Sequence, residues 1–156
     1  MKASAISVYT DGSCHTQLKA GGWAAILFWG KKKIILKGEA QQTTHNRMEL
    51  LAVINAIDFV VEKDSSAIIS IFSDSQYVVQ IPVRKDKLKS NLFITKKGNE
   101  LQNSDLVQKL IFQIENYNIT FTKVKAHLKT GETPNYNREV DIIVREIVRE
   151  QVKQID

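Results

Sequence analysis

Four acidic residues, far apart in the chain, sit in strongly patterned segments: Asp11 in Tyr-Thr-Asp-Gly-Ser, Glu49 in Asn-Arg-Met-Glu-Leu, Asp74 in Phe-Ser-Asp-Ser-Gln and Asp141 in Asn-Arg-Glu-Val-Asp. Two stand at the ends of apolar, strand-like runs, and one lies on the apolar stripe of a helix. Carboxylates in such places are costly unless a cation compensates them. A divalent-metal site is therefore the first expectation. Mg²⁺ is hard and takes carboxylate, phosphate and water oxygens, with Mn²⁺ as a substitute. One cysteine and three histidines offer no cluster for a zinc site. Two such ions about 3.5–4 Å apart can clamp a phosphodiester, one activating water and the other stabilising the leaving oxygen. Without metal, the same crowding raises at least one carboxyl pKa. A single Asp at a strand end would ordinarily be a cap or turn residue; four in these contexts point to convergence.

Other polar residues stand near these acids in sequence. His127 lies in a Gly-containing loop ahead of Asp141, where a histidine is most often simply solvated, though imidazole titrates near neutral pH. Asn137 falls one helical turn before Asp141 and shares its face; it reads either as an ordinary helix-start Asn or as a residue orienting that carboxylate. Ser73 and Ser75 read as shaping the turn around Asp74.

Ile6, Val8 and Thr10 alternate with polar residues, a first strand ending at Asp11, with Gly12 as a turn. Trp23–Trp29 and Ile34–Gln42 read as two further strands joined by short connections, an antiparallel meander. Thr43 or Thr44 is a candidate N-cap for a helix over 46–61. Glu49, Ala52, Val53, Ala56 and Val60 fall on one stripe of it, so Glu49 points toward the core. Ala67–Phe72 is a fourth strand leading to Asp74. A strand, a helix and a strand in one sheet imply a parallel pair. If the Asp11 and Asp74 strands are neighbours, their C-terminal ends lie side by side, where open α/β sheets place ligands. A short helix from Ser75 to Ile81 is expected to stop near Pro82. A helix from about Asn99 to Asn116, a fifth strand marked by Ile119, Phe121 and Val124, and a last helix from Pro134 to about Lys153 complete the order β-β-β-α-β-α-α-β-α.

The chain has 156 residues, 43% hydrophobic and 25% charged, the profile of one soluble globular domain. No apolar run approaches the roughly 20 residues that span a bilayer, and the start, Met1-Lys2-Ala3-Ser4, lacks a signal-peptide pattern. Cys14, the only cysteine, reads as an inert buried thiol and makes a reducing, cytoplasmic setting the expectation. Trp23 and Trp29 read as core or sheet-face packing. The formal net charge is +5; residues 82–98 alone hold Arg84, Lys85, Lys87, Lys89, Lys96 and Lys97 against Asp86. Such a patch suits a polyanion; alone it reads equally well as a solvated loop. Lys31-Lys32-Lys33 reads as a hairpin turn.

This order of elements, with the four acids in these contexts, resembles ribonuclease H type 1 over nearly the whole chain. Asp-Gly-Ser after the first strand, Thr-Thr-x-Asn-Arg-Met-Glu-Leu at the first helix, Ser-Asp-Ser-Gln-Tyr-Val after the fourth strand, and Val-Lys-x-His followed by Asn-x-x-x-Asp carry the resemblance. It implies an α/β, ribonuclease H-like fold with a five-stranded mixed sheet, the first three strands antiparallel, and helices on both faces. It implies a single domain over 1–156 with a basic protrusion at about 82–98. Asp11, Glu49, Asp74 and Asp141 match the family's metal-binding positions, with two Mg²⁺ ions during catalysis. His127 matches a histidine that assists proton transfer or product release. His45, Asn46 and Gln76 match positions that read the RNA 2′-hydroxyl, and Thr44 one that contacts a DNA-strand phosphate; Asn46 and Thr44 equally suit helix capping. The implied activity is hydrolysis of the RNA strand of RNA–DNA hybrids, leaving 5′-phosphate and 3′-hydroxyl ends. A monomer without membrane or obligate protein partner is expected.

Alternatives are a module that grips hybrids without cutting, a ribonuclease H domain of a reverse transcriptase, and a resolvase- or transposase-like enzyme on the same fold. Loss of an acid would favour the first, and none is lost. Asn-Arg-Met-Glu-Leu and the basic insertion argue against the last. Departures from the family pattern are His45 in place of the usual Asn, an altered loop over 15–20, a protrusion without tryptophans for which Leu92, Phe93 and Ile94 are the apolar packing candidates, and Lys125-Ala126-His127 for Lys-Gly-His.

Overall fold

The computed structural model describes residues 3–125 and 135–155. His127 and Pro134 lie outside them, so the expectations made for these two residues do too. Nine elements follow one another: β1 Ala5–Cys14, β2 Gly21–Trp29, β3 Lys32–Ala40, α1 His45–Lys63, β4 Ile68–Ser73, α2 Gln76–Ser90, α3 Ser104–Asn116, β5 Asn118–Lys123 and α4 Tyr136–Ile155. The strands form one sheet in the order β3-β2-β1-β4-β5. β1, β2 and β3 pair antiparallel, while β4 runs parallel to β1 and β5 parallel to β4. The expected mixed sheet is therefore present.

Side-chain alternation along the strands sorts the core into two layers. Ile6 and Val8 of β1, Leu27 of β2 and Ile69 and Ile71 of β4 face Leu50, Val53 and Ile57 of α1, with α2 and α3 completing that layer. Ala24 and Ile26 of β2, with Tyr9, face Val140 and Val144 of α4. Helices thus cover both faces, and among the described residues α4 is alone on one. Tyr9 stacks on Phe72 and, with Phe28, packs against Tyr136. Lys33 of β3 bonds Glu139 at 2.7 Å. These contacts anchor the first turns of α4 and so fix where Asp141 begins. Arg47 of α1 clasps Asp105 of α3 with two hydrogen bonds, at 3.0 and 2.7 Å.

Several boundaries correct the sequence reading. β1 does not end at Asp11; it continues to Cys14, and Asp11 and Gly12 pair with Ala24 and Trp23. Gly12 makes no turn. Its missing side chain instead makes room for α1, because a Cβ there would lie 2.4 Å from the Glu49 backbone nitrogen. α2 does not stop at Pro82 but passes through it to Ser90. An interior proline costs roughly 3 kcal/mol. Burying Val78, Ile81 and Leu88 on one side of α2 offsets that, since each such side chain contributes about 1.5–3 kcal/mol. α3 starts at Ser104, later than expected, after Asn103 in a left-handed conformation at φ 61°. Trp23 lies flat against Gly38, its partner on β3, and Trp29 packs on the larger core layer.

Candidate active site

The site grows from a mismatch in strand length. β4 pairs with β1 only as far as Thr10 opposite Ser73. Beyond that point β1 runs on with Asp11, while the chain after β4 turns at Asp74 into α2. Ser75 forms that turn: its backbone N–H donates to Ser73 Oγ at 3.1 Å, and its own hydroxyl accepts from Val78 N at 3.2 Å as the α2 N-cap. Ser73 and Ser75 thus shape the turn as expected. From the helical layer, Thr44 caps α1 by accepting from Arg47 N at 3.2 Å, and Glu49 lies in the second turn, buried and directed at Asp11. The two carboxylates meet beside Gly12, whose backbone N–H partly offsets the rise in their pKa values.

One carboxylate oxygen from each of Asp11, Glu49 and Asp74 lies within 4.8 Å of the others. Asp141 approaches from α4 and lines the same cleft, its charge helping to raise the Asp11 pKa, but it stands outside the group of three. Its side chain is 38% exposed, and Arg145 Nε holds its Oδ2 at 3.1 Å. All but Glu49 line one open cleft of about 560 Å³.

The electrostatics are those of an uncompensated cluster. Burial, then the charges of Asp74 and Asp141, push the Asp11 carboxyl up to about 8. Burial and the neighbouring Asp11 and Asp74 hold Glu49 well above the usual carboxylate range. Glu49 Oε1 is buried without a hydrogen-bond partner among the described residues. His45 Nε2 is 3.9 Å from the other Glu49 oxygen, too far to satisfy it. An oxygen-only donor set with a buried, unsatisfied acceptor and excess negative charge fits a hard divalent cation.

The remaining expected residues divide into groups. His45 lines the cleft itself. Asn46 lies one pocket away, with Tyr77, Arg84 and Gln102. Gln76 is exposed at the first turn of α2. Asn137 lines the cleft, but its amide donates to the Lys125 carbonyl at 3.3 Å, tying the start of α4 to the segment after β5. The basic stretch is carried mostly by helix α2. Lys85 and Lys89 reach Glu115 of α3, at 3.7 and 2.8 Å. Lys87, Lys96 and Lys97 have no ion-pair partner among the described residues, and Phe93 seats the stretch on the core. Cys14 is half-buried, its thiol donating to the Thr43 carbonyl at 3.4 Å.

Arg138 and Arg145 also line the cleft, and the sequence reading did not single them out. Arg145 had a legible signal: it stands four residues after Asp141, the spacing at which a carboxylate and a guanidinium pair on a helix.

The fold and its acidic cleft define an α/β protein with a candidate metal centre at the end of a mixed sheet. The ribonuclease H family profile matches residues 3–149. The chain is 34% identical over 147 residues to a ribonuclease H from Caldicellulosiruptor saccharolyticus, covering 93% of this chain and 97% of that one. It is 35% identical over 147 residues to a ribonuclease H from Chlorobium phaeobacteroides, covering 92% and 95%. LC9-RNase H1, a type 1 RNase H with the type 2 active-site motif, superposes with a TM-score of 0.82 at 20% identity, over 97% of this chain and 75% of that chain. LC11-RNase H1, solved in complex with an RNA/DNA hybrid, superposes with a TM-score of 0.67 at 15% identity, over 94% and 99%. The chain belongs to the ribonuclease H family.

Proposed function

We propose that this protein is a metal-dependent endoribonuclease that hydrolyses the RNA strand of RNA–DNA hybrids, leaving 5′-phosphate and 3′-hydroxyl ends. The observation that carries the reading is the gathering of Asp11, Glu49 and Asp74 oxygens within 4.8 Å, with Asp141 lining the same cleft. Family membership and a structural neighbour bound to an RNA/DNA hybrid support the substrate class.

In this reading Asp11, Glu49, Asp74 and Asp141 hold Mg²⁺, two ions during catalysis, with Mn²⁺ as a substitute. When bound, the pair supplies an activated water and neutralises the developing charge on the leaving oxygen. Asp11 and Glu49 provide the buried, charged floor. Arg145 keeps the Asp141 carboxylate turned along α4. His127 assists proton transfer or product release, and Asn137 orients the start of α4 and with it Asp141. His45, which lines the cleft, and Asn46 and Gln76 are the polar groups assigned to meet a 2′-hydroxyl, which only the RNA strand carries. Thr44 meets a DNA-strand phosphate. Arg84, Lys85, Lys87, Lys89, Lys96 and Lys97 bind backbone phosphate without sequence preference.

The chain works as one domain over 1–156, monomeric and cytoplasmic, with the basic protrusion at 82–98. Among the described residues no helix is long and apolar enough to cross a membrane. The test is a single gel. Labelled hybrid, double-stranded RNA, single-stranded RNA and double-stranded DNA are each incubated with Mg²⁺, Mn²⁺ or chelator. Cleavage confined to the RNA of the hybrid, and lost with chelator, is expected. An intact hybrid in both metals would overturn the assignment.

A further inference from the structure

A second groove, of about 360 Å³, adjoins the acidic cleft and shares Ser13 and Arg145 with it. Val148 and Val152 form its floor; His15, Arg149 and Lys153 stand on its rim. Beyond Asp141, the charges of α4 are sorted by side. Arg145, Arg149 and Lys153 succeed one another at four-residue spacing along the groove. Glu146 and Glu150 line a different groove, against β3.

The rim groups are available. Arg149 has no ion-pair partner among the described residues. Lys153 meets Glu150 at 3.3 Å in a pair about two-thirds exposed on both sides, and such exposed pairs are weak. The Leu18 N–H donates to His15 Nδ1 at 3.1 Å, so the neutral imidazole carries its proton on Nε2 and has a free donor. From Arg145 to Lys153 is eight residues, about 12 Å of helix. A nucleic-acid strand advances about 3.4 Å per phosphate, so this edge spans some three of them.

We infer that this groove holds the backbone phosphates of the strand that leaves the acidic cleft, extending the footprint of the hybrid along α4, on the opposite face of the sheet from α2. The inference rests on the function proposed above and adds a second phosphate-binding surface to it. His15 stands in the loop that departs from the family pattern, so the contact is a property of this chain.

The test is steady-state cleavage of labelled hybrid with Mg²⁺ across a salt series, for the wild type and three double variants. Arg149→Gln with Lys153→Gln raises KM about tenfold and lowers the salt slope of kcat/KM by about 2, one for each phosphate no longer neutralised. Arg149→Lys with Lys153→Arg restores both values, which a loss of helix packing would not allow. Glu146→Gln with Glu150→Gln, on the other edge, does not raise KM. If the wild type cleaves hybrid and the glutamine pair changes neither KM nor salt slope, the α4 groove is excluded while the function stands. If the wild type leaves hybrid intact, both readings fall.

Discussion

A Cβ on Gly12 would lie 2.4 Å from the backbone nitrogen of Glu49 and 2.4 Å from the carbonyl carbon of Met48. β1 and α1 therefore touch through backbone at this point, and the contact sets Glu49 against Asp11. Gly12→Ala forces the two elements apart. Overpacking of that kind costs about 1–3 kcal/mol, and here it also spreads the carboxylates. A urea melt and a cleavage assay on the same sample check this: lower stability with a kcat reduced beyond the unfolded fraction is expected. Unchanged kcat would mean that the contact does not position the site.

Removing one carboxylate separates chemistry from folding. Asp74→Asn keeps the size of the side chain and loses its charge at the edge of the cluster. The expected result is a kcat at least about 100- to 1,000-fold lower, the range for deleting one preorganised electrostatic group, with a melting temperature no lower than the wild type. Turnover at the wild-type rate would remove Asp74 from the site.

The carboxyl cluster also predicts a pH dependence in chelator. The Asp11 carboxyl is raised to about 8 in the folded chain, against about 3.9 for an unperturbed Asp. The folded state therefore binds a proton over that window that the unfolded state has released. Stability from this group is complete below about pH 4 and is lost as pH rises toward 8. Asp11→Asn removes the loss, so its advantage over the wild type should grow with pH and amount to several degrees at pH 8 (about 2–4 °C per kcal/mol for a chain of this size). Mg²⁺ added to the wild type at pH 8 should raise its melting temperature as well. A constant difference between the two proteins from pH 5 to 8 would contradict the buried-cluster account.

The proposed phosphate binding by the basic stretch should divide by pairing. Lys85 and Lys89 are held by Glu115, whereas Lys87, Lys96 and Lys97 are exposed. Neutralising Lys85, Lys87, Lys96 and Lys97 together should mainly raise KM and flatten its salt dependence, by about one unit of slope for each phosphate released. Glu115→Gln should have the opposite sign, lowering KM by freeing Lys85 and Lys89. KM values measured from low to moderate salt decide both, and an unchanged slope in the lysine variant would exclude the stretch as a handle.

Much of this arrangement could be read from residue order. The stripe Glu49, Ala52, Val53, Ala56 and Val60 is buried along its whole length, because a helix closely packed on a sheet repeats its contacts at that spacing. The parallel pairing of β1 with β4 followed from the crossover, and it brought Asp11 and Asp74 together. Other features depended on partners distant in sequence. Gly12 looked like a turn because nothing local shows that α1 lies on it. Pro82 looked like a stop because local propensity carries no record of Val78, Ile81 and Leu88 finding a core. The pairing of Lys85 and Lys89 with Glu115 joins two helices and has no local signature. Asn137 was expected beside Asp141 on spacing, yet its amide is engaged with Lys125 across the chain.

Anomalous diffraction from crystals soaked in Mn²⁺ bears most directly on the central idea. Peaks are expected among the Asp11, Glu49 and Asp74 carboxylates, within about 2.1 Å of their oxygens, with Asp141 turned toward them. Data in which the manganese signal is absent from this cleft, while the four side chains keep their present positions, would contradict it.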